Sequence, residues 1–443
     1  MTKKTRGILI LTSSGGSGHI QAAKAKQIEA KTRYPNHKVV ICDLMLDWMG
    51  ERLGNYCVRR WNSAQAKGDV KEQLKLIGYQ WLSELLFGLP MFIRAFIVLF
   101  RNNIELIIDT QPNFTPSIIK ASRLVMQLKR RKIHLEKIVT ELPTPYCSHF
   151  FDPIKHLSKN DRKYIDLITF FPLLEEGRNF WKEACNLPSY RIKYDKPPLR
   201  PTFQKYMQKE SVDTPLTINI QIHSEEEEHL IEETLAKGKN PYTIHNEILN
   251  YTIQPEDRVY TLMLGSIPAE CTTLRYIKHI IKTLRKLSTN AEPYHLFVFC
   301  NAHKPGAKSL LKRVHDLITS CHAYPEKLTV IPMTFQDDAV IAPLFFRSNA
   351  TFTRSGGLTS MELMAVAKGQ ICIHSEAADP TLAHHGMPKW EFGNAFYLQE
   401  KRGAKILTTE CFEQSCPDLF LPSRPVQKLF NLKRRQIHGI ELL

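Results

Sequence analysis

Two glycine turns in this chain carry residue types that could handle a phosphorylated ligand. Thr353-Arg354-Ser355-Gly356-Gly357-Leu358-Thr359-Ser360-Met361-Glu362 follows a strand-like Ala350–Thr353. It opens a helical pattern through Leu358, Met361, Leu363 and Ala365 that Gly369 can stop. Paired glycines let the backbone come close to a ligand. The bare N–H groups and positive dipole of a helix start favour an anion, typically a phosphate. Glu362, one turn in, is placed to accept hydrogen bonds from a neighbouring sugar hydroxyl. An ordinary strand-to-helix corner fits the same residues, so this turn alone leaves both readings open.

The second turn lies near the N-terminus. Ile8-Leu9-Ile10-Leu11 is an apolar run suited to a buried parallel strand, and Thr12-Ser13-Ser14-Gly15-Gly16-Ser17-Gly18-His19 leads into a helical pattern from Ile20 through Ala30. No Lys-Ser/Thr pair closes the loop as in a P-loop, and the glycine spacing does not match the dinucleotide fingerprint. What it adds is His19 at the mouth of a helix. A neutral imidazole there is a candidate general base, because a helix N-terminus disfavours the charged form. A histidine that merely caps the helix is the alternative.

The elements that must position these turns alternate. Apolar strands are expected at residues 7–12, 38–42, 105–109 and 136–140, separated by helical patterns, which predicts a parallel sheet covered on both faces. Asp195-Lys196-Pro197-Pro198-Leu199-Arg200-Pro201 reads as a boundary. Residues 204–257 read as a connecting segment or insertion, with a strand-like 216–222 and an acidic run, Glu225–Glu228, expected to be a solvated helix face. A second α/β unit starts at Arg258-Val259-Tyr260-Thr261-Leu262-Met263-Leu264-Gly265-Ser266, with further strands at 295–300, 327–331, 350–353 and 370–374. Ligands in such folds sit beyond the C-terminal strand ends. Gly265-Ser266, the 354–362 turn and residues 391–394 can therefore converge on one cleft. The division expected is 1–203, 204–257, 258–425, and a C-terminal helix in 426–443 packing back on the first unit.

Taken together, these segments resemble the inverting GT-B glycosyltransferases of family 28. That family includes the monogalactosyldiacylglycerol synthases, the processive diacylglycerol glucosyltransferases and the N-acetylglucosaminyltransferase of peptidoglycan lipid synthesis. Gly15-Gly16-Ser17-Gly18-His19 with Ala22-Ala23 looks like the family's N-terminal loop, and Arg354–Thr359 with Glu362 like its donor loop and helix. Glu391-Phe392-Gly393-Asn394 looks like the Glu-x-Gly-Asn of the glycerolipid branch. Ile104–Pro112, ending in Asp109-Thr110-Gln111-Pro112, and Pro198–Phe203 also have counterparts, in the same order, over about residues 5–410. Three departures stand out. Thr-Ser-Ser precedes the first loop, Thr140-Glu141 replaces a Thr-Asp, and Trp390-Glu391 replaces the peptidoglycan branch's Gln-Gln, which favours the glycerolipid branch.

The resemblance implies a GT-B fold of two Rossmann-like units and transfer of a hexose from a UDP-sugar to a hydroxyl, such as that of diacylglycerol. It implies His19 as base, and Gly18, Gly265, Ser266, Arg354, Ser355, Gly356, Gly357, Leu358, Thr359 and Glu362 around the donor nucleotide. Glu391 and Asn394 would hold the donor hexose, with Gly15, Gly16, Gln111 and Glu141 on the acceptor side. No Asp-x-Asp pair is present, so no metal and no cofactor are expected; backbone amides would stabilise the leaving diphosphate. The two units would close over their substrates, so an open form is expected without them.

Composition is consistent with an enzyme of this kind. A chain of 443 residues with 43% hydrophobic and 23% charged residues supports two ordinary cores. Ten cysteines without a Cys-x-x-Cys pair read as reduced thiols. No secretion signal is evident, so a cytoplasmic protein is expected, free or held peripherally on a membrane. The net charge of +16 gathers at Lys129-Arg130-Arg131-Lys132 and Lys433-Arg434-Arg435. No nucleic-acid module with interleaved aromatics is visible, which leaves an anionic lipid surface or a phosphate-bearing substrate. Residues 81–100 are the most apolar window. Glu84, Gly88, Pro90 and Arg94 interrupt it, so it reads as two short buried helices or an interfacial element rather than a spanning helix. His384-His385 read as loop residues. Two other functions remain open: a UDP-sugar 2-epimerase on the same fold, and a degenerate transferase kept as a scaffold or adaptor.

Overall fold

The computed structural model describes residues 6–420, apart from 16, 172–176, 210, 239, 287–291, 304–305 and 307. Gly16, the second basic cluster and the expected C-terminal helix lie outside the described residues.

The first half is built on a six-stranded parallel sheet. Its strands are β1 (Gly7–Thr12), β2 (Lys38–Asp43), β3 (Ile104–Asp109), β4 (His134–Ile138), β5 (Ile165–Thr169) and β6 (Ile192–Tyr194), in the order β2-β1-β3-β4-β5-β6. Every residue of β1 is buried, as expected of a central strand with helices on both faces. Leu9 lies beside Val40 on one side and Ile107 on the other.

An antiparallel three-stranded sheet follows: β7 (Leu216–Gln221), β8 (Tyr242–His245) and β9 (Ile248–Ile253), ordered β7-β9-β8. Asn246 and Glu247, with φ of 51° and 61°, form the two-residue turn between β8 and β9. Positive φ at both central residues matches the twist of a tight hairpin. Ile218, Ile220, Leu249, Tyr251 and Ile253 join this sheet to the core of the second half. The acidic run starts the helix Glu225–Leu235, capped by Ser224, but it is not wholly solvated. Glu227 is buried, accepting from the His223 amide at 3.1 Å and from the Thr334 hydroxyl.

The second six-stranded parallel sheet comprises β10 (Arg258–Met263), β11 (Tyr294–Phe299), β12 (Leu328–Met333), β13 (Ala350–Thr353), β14 (Gln370–His374) and β15 (Lys405–Leu407), ordered β12-β11-β10-β13-β14-β15. The edge strands β6 and β15, only three residues each, escape the sequence reading, as does β5. Two parallel sheets with alternating helices define the GT-B class expected above.

Residues 80–101 correct an expectation. They form one helix, Gln80–Arg101, not two. Gly88, Met91, Ala95 and Leu99 pack inward, toward the helix Thr115–Lys129. Pro90 is tolerated because the bond it removes is that to the Leu86 carbonyl, on the exposed side. The opposite face is apolar and bare: Trp81, Leu85 and Leu89 are 68%, 71% and 67% exposed, and Ile93, Ile97 and Phe100 continue the row. By length and composition the helix could cross a membrane, although one side of it is packed against protein.

Candidate active site

His19 stands in the first turn of the helix Ser17–Arg33, directly after β1. Its Nδ1 lies 2.8 Å from the carbonyl oxygen of Thr110, at the end of β3, and 3.2 Å from the Thr140 hydroxyl beyond β4. A carbonyl only accepts, so Nδ1 carries the proton in the neutral ring and Nε2 is the basic atom. Burial pushes the imidazole down to about 4; the Thr110 carbonyl opposes this and Lys137 adds to it. The ring is therefore neutral at physiological pH. His149 lies close by and is lowered further, to about 3, by burial first and then by the charges of His19 and Lys137.

Across from His19, the helix Gly357–Val366 starts after Gly356 with no side-chain cap. The two glycine-turn helices approach N-terminus to N-terminus, with a Cβ on Gly18 falling 4.0 Å from that of Leu358. Two positive helix ends share this seam, where an anion is favoured. In this structure the seam is closed. A Cβ on Gly357 would sit 1.9 Å from the Thr140 carbonyl oxygen, and one on Gly393 would sit 2.2 Å from the Thr144 hydroxyl. Both glycines are thus needed for the second half to touch residues 140–146 of the first.

The polar residues of the seam satisfy one another. Asn394 accepts from the Leu142 amide at 2.8 Å and donates to the Ser355 carbonyl at 2.8 Å and to the Glu141 carboxyl. Burial pushes Glu141 up to about 8; the bond from Asn394 opposes this and the Glu391 charge reinforces it. Glu391 holds Arg354 at 3.2 Å, and the Arg354 guanidinium also reaches Gln73, on the helix Val70–Gly78, at 3.3 Å. The Ser355 hydroxyl donates to the Glu391 carbonyl at 2.7 Å. One turn deeper, Glu362 is gripped by Arg200.

The remaining sequence-derived residues are placed as follows. Gly265 follows β10 with φ of +90°, a Cβ built on it would fall 4.0 Å from the Arg354 side chain, and Ser266 beside it is exposed. Gly15, Gly356 and Thr359 are half-buried, and the space around the two glycines is open. Gln111 does not face the seam: it is fully buried, its amide donating to Asp109 at 3.1 Å and to the Asn113 carbonyl. Glu391, Asn394 and Glu362 likewise spend their polar atoms on protein partners rather than facing an open sugar site. Thr110, Thr140 and Arg200 entered the sequence reading only as members of matched segments, without a role at the site, and His149 and Lys137 did not enter it. Among the described residues no group of three His, Cys, Asp or Glu side chains is placed to hold a metal. Beside the seam, a cleft of about 460 Å³ separates Gly68–Lys71 from Glu376–Asp379, Leu382 and His385.

No family model and no curated protein matches the chain. Solved structures do. A UGT transferase from Siraitia grosvenorii in complex with UDP aligns at 10% identity and a TM-score of 0.50, covering 97% of this chain and 94% of that one. UGT89C1 of Arabidopsis thaliana with UDP-L-rhamnose aligns at 12% identity and 0.49, over 98% and 94%. MurG of Acinetobacter baumannii aligns at 12% and 0.47, over 98% and 95%. These structures are GT-B glycosyltransferases. At such identities the first likeness establishes the fold, and the chain has the GT-B fold.

Proposed function

We propose that this protein is an inverting, metal-independent glycosyltransferase that moves a hexose from a UDP-sugar to the hydroxyl of a membrane lipid, in the manner of family 28. The observation that carries the reading is His19: a neutral imidazole with Nδ1 on the Thr110 carbonyl, set against the uncapped start of the helix Gly357–Val366. When the halves part, the diphosphate would lie on the amides of Ser355 to Leu358, where preorganised donors supply several kcal/mol to a developing anion. Nε2 of His19 would take the acceptor's proton as the sugar carbon is attacked in line. Glu362 would reach the ribose, and Glu391 and Asn394 the hexose, on release from their present partners.

The helix Gln80–Arg101 supports the lipid acceptor. Its bare apolar row starts at Trp81. The preceding Gln80 amide donates to the carbonyls of Pro112 (3.2 Å) and His149 (3.1 Å), and His149 neighbours His19. The far end of the row meets Lys129–Lys132: the Lys129 ammonium lies 3.8 Å from the Phe100 ring centre, and Arg131 donates to the Asn102 carbonyl. Apolar side chains bordered by cations suit an anionic leaflet, at about 1 kcal/mol per basic residue near the surface.

The test is a radiolabelled UDP-sugar offered with total lipid extract in vesicles, with His19→Ala as control. Labelled glycolipid lost in the control is the expected result. Isomerised donor without acceptor would indicate an epimerase instead, and no turnover with any donor would indicate a scaffold.

A further inference from the structure

We infer that Lys137 is a positioning residue for His19, acting through the peptide of Thr110; this rests on the reading of His19 as the base. Lys137 and Asp109 are 0% exposed. The ammonium donates to Asp109 Oδ2 at 2.8 Å, to Thr115 Oγ1 at 2.8 Å and to the Gln111 carbonyl. Asp109 and Gln111 are the residues on either side of Thr110, so one buried cation fixes the chain before and after the carbonyl that receives His19 Nδ1–H.

The rest of the cluster closes the same loop. Asp109 Oδ1 accepts from the backbone and side-chain amides of Gln111, at 3.3 and 3.1 Å, while Thr115 donates to Oδ2 at 3.2 Å. Thr110 itself is tied to β1 and to the helix of His19: its hydroxyl donates to the Leu11 carbonyl at 3.0 Å and the His19 carbonyl at 3.2 Å. Thr140, three residues beyond Lys137, brings the second contact to Nδ1.

A buried ion pair is a poor source of stability, since desolvation offsets most of its attraction. What the arrangement supplies is geometry. Every bond of Lys137 named above ends within seven residues of chain, 109–115, that carry the oxygen receiving the Nδ1 proton of His19. If that carbonyl swings away, the proton can move to Nε2, and that atom can no longer act as the base.

The test uses the full-length protein with 15N-labelled histidine. Lys137→Met alone leaves Asp109 as an unpaired buried anion and can fail to fold. The deciding variant is therefore Lys137→Met with Asp109→Asn, which removes both charges and keeps partners for Gln111 and Thr115. Ring nitrogen shifts report the His19 tautomer whether or not any reaction is catalysed. Expected is an Nδ1–H ring in the natural chain and a mixed or Nε2–H ring in the folded double variant. Turnover should fall between about tenfold and a hundredfold, with KM for the donor unchanged. A folded double variant with the original tautomer overturns the inference. If His19→Ala keeps transfer activity while the tautomer still shifts, only the general-base reading fails.

Discussion

Arg200 holds Glu362 with both arms of its guanidinium, Nε to Oε1 at 2.6 Å and Nη2 to Oε2 at 2.8 Å, and both side chains are buried. The pair joins the segment leaving the first half to the second turn of the helix Gly357–Val366. Burial tends to raise the Glu362 carboxyl, and the guanidinium opposes that rise. Removing one partner strands a charge in the interior. Arg200→Met is expected to cost about 3–5 kcal/mol, and Arg200→Met with Glu362→Met to recover most of that. Chemical denaturation of the single and double variants checks this; a double variant as unstable as the single would disprove it.

Gly357 sets whether the halves can meet. Ala at this position places a methyl 1.9 Å from the Thr140 carbonyl oxygen and 2.5 Å from a Glu141 oxygen, both too close for any Cβ. Gly357→Ala should leave each half folded but wedge them apart. Small-angle scattering should show a larger radius of gyration, and transfer should be lost. An unchanged scattering profile would contradict the close approach.

Glu141 makes stability depend on pH. Its carboxyl is pushed from an ordinary 4.5 up to about 8, chiefly by burial. The folded chain therefore keeps a proton that the unfolded chain loses above its own value of 4.5. This contribution is flat below the unfolded value and declines as pH climbs toward about 8, with a slope of at most ~1.4 kcal/mol per pH unit. Glu141→Gln still accepts from Asn394 and should flatten the decline. Denaturation midpoints measured across this range, with and without the substitution, decide it.

His19 sets the acid limb of the rate profile. Because burial lowers its imidazole to about 4, transfer should hold its rate well below the pH at which an ordinary histidine protonates, falling only as pH approaches 4. His19→Ala should reduce the rate by about 10²–10⁴-fold with donor affinity kept. A profile breaking near 6.5 would place a different histidine in the role.

The bare row on the helix Gln80–Arg101 should govern vesicle binding. Leu85→Glu with Leu89→Glu alters two side chains 71% and 67% exposed, so folding should be unaffected. Sedimentation with anionic vesicles should drop, and turnover of a vesicle-borne acceptor with it. Turnover of a short-chain, dispersed acceptor should persist. Equal losses on both acceptors would remove the helix from membrane contact.

Both glycine turns could be read from the sequence because their information is local: strand, glycines and helix start fall within about ten residues. The central strands were legible too, since burial on both faces writes an unbroken apolar run in β1 or β11. Partners far apart in the chain were not. Nothing near Glu362 announces Arg200, 162 positions away. Lys137 sits in His-Leu-Glu-Lys-Ile, at the start of the expected strand 136–140, where no local signal marks it as the buried partner of Asp109. Gly357 read as a place where a ligand approaches and Gly393 only as part of a motif, whereas in the structure the close neighbour of each is the other half of the protein. Pro90 read as a break because its exposed setting was invisible.

Asn394 closes the seam between Leu142, Glu141 and Ser355, over the helix start where the diphosphate would lie. Sugar nucleotide would then be captured only by the minority of molecules that have parted, and its apparent affinity would be weakened in proportion to how rare they are. A change that loosens this seam while leaving the donor contacts of Asn394 in place should thus tighten donor capture while slowing the chemistry that follows.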